Sequence, residues 1–82
     1  MNMIAIRAER KIRNHNRRLV NEIMDLRDQR VCLQRKVIML EDKRLWEPYN
    51  FNSSDMYWLK YYKSQIDRIK ATEEELRKQL RA

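Results

Sequence analysis

The chain has 82 residues, 38% of them charged and 43% hydrophobic, with a net charge of +7, one proline and no glycine. That length allows one small domain at most, and apolar spacing sustained amid so much charge argues for solvent-washed helices rather than disorder. No uncharged run exceeds Pro48 to Ser54, so nothing in the sequence can span a bilayer or serve as a secretory h-region, and the lone Cys32 excludes an internal disulfide framework and suits a reducing compartment.

The first helix is expected from about residue 3 to 46, because Ala, Arg, Leu, Met and Glu dominate and no breaker intervenes. Its amino end is cationic. Residues 1–18 carry Arg7, Arg10, Lys11, Arg13, Arg17 and Arg18 against Glu9 alone, a local charge of +5, while residues 19–46 and 47–82 each hold an excess of +1. At 100° per residue Arg7, Lys11 and Arg18 fall on one line and Arg10, Arg17 and Arg13 continue round the same side, opposite Ala5, Ala8, Ile12 and Leu19. From Leu19 onward a 4-3 rhythm sets in with Ile23, Leu26, Leu33, Val37 and Leu40, broken once at Arg30. Beside it runs a second apolar row of Val20, Met24, Val31, Ile38 and Leu45, which makes the stripe wider than one partner helix can cover.

Pro48 stops the first helix, since the residue before proline is pushed out of the helical region. A loop over 47–53 follows. Ser53 or Ser54 is expected to cap a second helix over about 54–80, with Asp55 in its first turn. There the 4-3 rhythm returns as Leu59, Tyr62, Ile66, Ile69, Leu76 and Leu80, broken once at Glu73. All seven aromatic residues fall between Trp46 and Tyr62. Trp58, Leu59 and Tyr62 are expected inward, closed by Trp46 and Phe51, while Tyr57 and Tyr61 face outward as a contact pair for a partner.

The pattern therefore predicts an all-α fold: one domain over 1–82, an antiparallel two-helix hairpin of coiled-coil type. Folding about the loop brings Arg30 near Glu73, a pair that would set register and orientation. It also leaves the amino end, residues 1–18, overhanging the shorter second helix. The row Val20, Met24, Val31, Ile38, Leu45 is then expected to be covered by a second copy, giving a homodimeric four-helix bundle. The competing cover is a different protein.

No constellation in the sequence supports catalysis. His15 and Cys32 lie about 25 Å apart on one straight helix, there is no glycine-rich phosphate loop, and Glu73, Glu74 and Glu75 splay around their helix. The sequence thus reads as non-enzymatic, without metal or cofactor. A half-cylinder of cations matches a phosphate track, so the favoured function is binding of nucleic acid, DNA or RNA, or of a nucleoprotein, through Arg7, Arg10, Lys11, Arg13, Asn14, Arg17 and Arg18. His15 and Asn16 are further groups able to reach sugar or base edges. The alternative is a protein-binding adaptor or inhibitor, a regulator of mobile-element or phage type. It would dock through the Val20–Leu45 row or through Tyr57 and Tyr61. A structural piece of a larger assembly is a third reading. The expected location is cytoplasmic or nucleoid-associated, with a mitochondrial transit segment as the lesser alternative.

Overall fold

The computed structural model describes residues 3–81, with side chains from Ala8 onward, so the side chain of Arg7 lies outside the described residues. The fold is all-α, 92% helical, with two helices packed against each other and no strand among the described residues. Helix α1 spans Met3–Trp46, a 3-10 turn spans Pro48–Asn50, and helix α2 spans Ser53–Lys78. The result is a rod of 72 × 15 × 14 Å.

The loop is built around Pro48. Glu47 leaves the helical region at φ −133°, ψ 57°, as the proline ring requires of its predecessor. Its N–H nevertheless still donates to the carbonyl of Lys43 at 2.8 Å, completing the last turn of α1. Pro48 lacks an N–H and so opens the 3-10 turn without an orphan donor. Asn50 N–H then donates to Glu47 O at 2.9 Å, and Phe51 N–H to Pro48 O at 3.3 Å.

The cap of α2 differs from the expected serines. Asn52 is the N-cap: its side chain accepts from the Asp55 N–H at 2.9 Å, and the Asp55 carboxylate accepts from the Asn52 N–H at 3.2 Å. Asn and Asp at this spacing satisfy two orphan donors reciprocally, leaving Ser53 and Ser54 as the first two residues inside the helix. Asp55 also accepts from Lys43 Nζ at 2.9 Å, pinning the start of α2 to α1. The Lys43 bond first, and the Asn52 N–H second, hold the Asp55 carboxyl below its ordinary value.

The seam between the helices buries Leu19, Val37, Leu59 and Ile66. Val37, Leu59 and Ile66 form its centre, with Leu33, Leu40, Phe51, Met56 and Tyr62 packed around them. Leu40 thus lies in the same cluster as Leu59, as the folded-back alignment requires. Further along the seam Arg30 meets Glu73 in a two-point contact, Nε to Oε1 at 2.7 Å and Nη2 to Oε2 at 3.4 Å. Glu73 is 3% exposed, the single buried charged side chain among the described residues. Arg77 adds a more distant contact from its own helix at 3.7 Å. A buried carboxylate left without its guanidinium is strongly destabilising, whereas an exposed pair such as Lys63–Glu41 at 2.9 Å contributes little.

Two outcomes follow from these contacts. Arg30→Ala is expected to cost about 3 kcal/mol in thermal or urea unfolding, because it strands Glu73, while the double variant Arg30→Leu with Glu73→Leu is expected to melt near or above the parent. The second concerns acid. Because the folded-state pKa of Asp55 is depressed, its stabilising effect is present above the unfolded value near 3.8 and is lost as pH falls through the folded value. The melting temperatures of the parent and of Asp55→Asn, measured from pH 7 to pH 2, are expected to converge below about pH 4.

Candidate functional site

The amino-terminal stub begins where α2 runs out. His15 Nε2 donates to the carbonyl of Gln79 at 3.0 Å, Asn16 Nδ2 donates to the carbonyl of Arg81 at 2.7 Å, and the Arg81 N–H donates to Asn16 Oδ1 at 2.9 Å. These bonds form a clasp. They take up carbonyls that a continuing helix would leave unpaired at its end, and α2 stops at Lys78 rather than near residue 80. His15 and Asn16, expected to face a ligand, are therefore occupied within the chain. The length of α1 without a helical partner ends at His15, slightly short of the expected Arg18.

Beyond the clasp α1 continues as a single helix. Arg10, Lys11, Arg13 and Asn14 are exposed there, and Arg17 and Arg18 are exposed just inside it. Arg10, Arg13, Asn14 and Arg17 line one shallow cleft of about 350 Å³. Among the described residues none of these cations is in an ion pair; the bridges present all involve other side chains. The clasp also does something the sequence reading missed. It holds the backbone of Arg81, three residues past the last residue of α2, Lys78, at the foot of the stub, so the carboxyl-terminal end of the chain brings two exposed cations to the same end of the rod. The signal is Lys78 and Arg81 at a chain end that meets α1 at Asn16, legible only once the register is known.

The apolar row on α1 stays largely uncovered. Met24 is 54% exposed, Ile38 56% and Leu45 69%, Val20 is exposed as well, and Val31 is half-buried. At the hairpin tip the aromatic groups arrange differently from expectation. Trp58 is 44% exposed and Trp46 76%, so neither belongs to the core. Trp46 is the last residue of α1, and the chain leaves it through Pro48; Phe51, arriving from the turn, packs against the Val37–Leu59–Ile66 cluster instead. Trp58 stacks on Tyr62, one turn on, with ring centroids 5.7 Å apart and planes at 28°. Tyr57 and Tyr61 are exposed and stack at 6.4 Å and 9°, and Trp58 meets Tyr61 edge-on at 5.7 Å. Four rings thus form one ladder along α2. Lys36 lies 5.3 Å from the Tyr62 ring centroid, and Lys36, Met39, Leu40, Trp58 and Tyr62 line a groove of about 280 Å³.

Among the described residues no three His, Cys, Asp or Glu side chains gather to hold a metal ion, and no helix is long and apolar enough to cross a membrane. Compared with protein families, curated proteins and solved structures, the chain matches none.

The clasp has its own test. Asn16→Ala removes both bonds to Arg81, each worth about 1 kcal/mol, and amide hydrogen exchange at Arg81 is expected to speed up about tenfold. Global stability is expected to fall by no more than about 2 kcal/mol, the worth of those two bonds, because the seam is untouched.

Proposed function

We propose that the chain is a non-enzymatic nucleic-acid-binding hairpin whose grip is the cationic stub. The observation that carries this reading is the set Arg10, Lys11, Arg13, Arg17 and Arg18, all exposed on one stretch of helix and none neutralised by a described carboxylate. Guanidinium groups on a straight helix can track successive phosphates, each contact releasing condensed counterions. Arg7 extends the same line in sequence, Asn14 supplies a polar group within the cleft, and Lys78 and Arg81 broaden the positive end. Nucleic acid alone and nucleic acid within a nucleoprotein present the same phosphate chemistry to this stub.

A second reading, a protein-binding adaptor or regulator, draws on the exposed Val20–Leu45 row and the Tyr57–Tyr61 pair. Those apolar surfaces sit elsewhere on the rod, so the two readings separate by mutation. Self-association through the row belongs with either of them.

With four to six phosphates engaged, the log–log dependence of duplex DNA affinity on salt is expected to have a slope of about −4 to −5. Replacing Arg10, Arg13 and Arg17 together by Gln is expected to flatten that slope by about 3 and weaken binding uniformly across sequences. Absence of a mobility shift at low salt, with the helical content intact, removes this reading and leaves the adaptor.

A further inference from the structure

We propose that a second copy of this chain lies antiparallel on the face of α1 formed by Met24, Val31, Ile38 and Leu45. These four residues recur at seven-residue intervals, a heptad register of its own beside the one that α2 occupies. The α2 seam uses Leu19, Val37 and their neighbours and leaves the second register more than half exposed at three of its four positions. A single seam makes a thin molecule. The chain exposes 7036 Å², whereas a compact globular chain of its mass exposes about 5,400 Å². The excess is roughly twice the 800 Å² or so that one copy contributes to a standard interface.

The occupant follows from self-complementarity and charge. A two-fold interface sets one surface against itself, and a four-point repeat overlaps itself completely in one antiparallel register, with Met24 facing Leu45 and Val31 facing Ile38 in both directions. The same register places Arg27 level with Asp42, twice by symmetry. Both are exposed and flank the row on opposite sides, about 30° from its mean line at 100° per residue, so neither charge is driven into the apolar interface. A parallel arrangement would press two +5 stubs side by side. Opposed orientation sends the stubs to opposite ends.

The arrangement changes what each end of the assembly contains. Within one chain Arg13 and Trp46 are about 50 Å apart along α1. Between antiparallel copies, the Arg13–Arg17 stretch of one falls level with, or just beyond, the hairpin tip of the other. Each end then combines cations from one chain with the exposed Trp46 and Tyr49 of the other. The orientation itself does not depend on the nucleic-acid reading.

Sedimentation of the full chain, nuclease-treated and in high salt, tests the stoichiometry. At tens of micromolar the expected mass is twice the 10.3 kDa chain, and Ile38→Glu is expected to sediment at the single-chain mass with its helical circular dichroism retained. Orientation is read by cross-linking in a Cys32→Ser background. Met24→Cys mixed with Leu45→Cys is expected to form a mixed disulfide dimer on mild oxidation, at least tenfold faster than either variant alone. A parent chain that sediments as a monomer overturns the proposal, and so does an Ile38→Glu chain that remains dimeric. Either single-cysteine variant cross-linking as fast as the mixture overturns it in favour of the parallel form.

Discussion

Register in this hairpin hangs on one buried charge. Glu73 sits inside an apolar seam and is held there by the guanidinium of Arg30 from the other helix. Sliding α2 by one heptad, about 10 Å, would set that carboxylate against Ile23 or Val37 with no cation to meet it. Leucine-type seams tolerate such slips; a charged one does not. Everything at the two ends inherits this alignment: Lys43 reaches Asp55 at the tip, and Asn16 reaches Arg81 at the other end. The unequal helix lengths then leave their whole difference at the amino end of α1, which is where the arginines are.

Much of that was readable from residue spacing because it depends on periodicity. Two 4-3 patterns, each broken once by a residue of opposite charge, separated by a proline, define two helices, their facing sides and the pair that joins them. Features depending on contacts across the hairpin were less legible. The capping role fell to Asn52, because Asp55 three residues on can answer its N–H, and serine preference alone did not reveal that reciprocity. The end of α2 is set by Asn16, far away in sequence, so no local signal marks it. Trp58 and Trp46 lie outside the expected core for a related reason. Large aromatic groups at the edge of a seam can cover it or stack along their own helix, and here Tyr62 and Pro48 decide the matter.

The candidate site shows the same division. That cations concentrate in residues 7–18 is a property of the sequence, and that those from Arg10 to Arg13 remain unshielded follows from the length difference between the helices. Which polar side chains among them stay available does not follow. Asn14 lines the cleft, whereas Asn16, two positions on and chemically identical, is consumed by the backbone of Arg81. A rotation of about 200° around the helix separates these two fates. The uncovered apolar register has a comparable origin: one helix carries two heptad patterns and has a single partner in the chain. The rod is consequently polar along its length, cationic at one extremity and aromatic at the other, with a greasy flank between them.

The clasp at Asn16 also fixes the direction in which the polypeptide departs. Because the Arg81 backbone is tied to α1, a tag, fluorophore or additional module fused after Arg81 would emerge from the root of the arginine-bearing helix. Insertions at Tyr49 or Asn50 would instead stand at the opposite extremity of the 72 Å rod. A carboxyl-terminal handle is thus a steric neighbour of the cations, and the tip is the site for a reporter meant to leave them unobstructed.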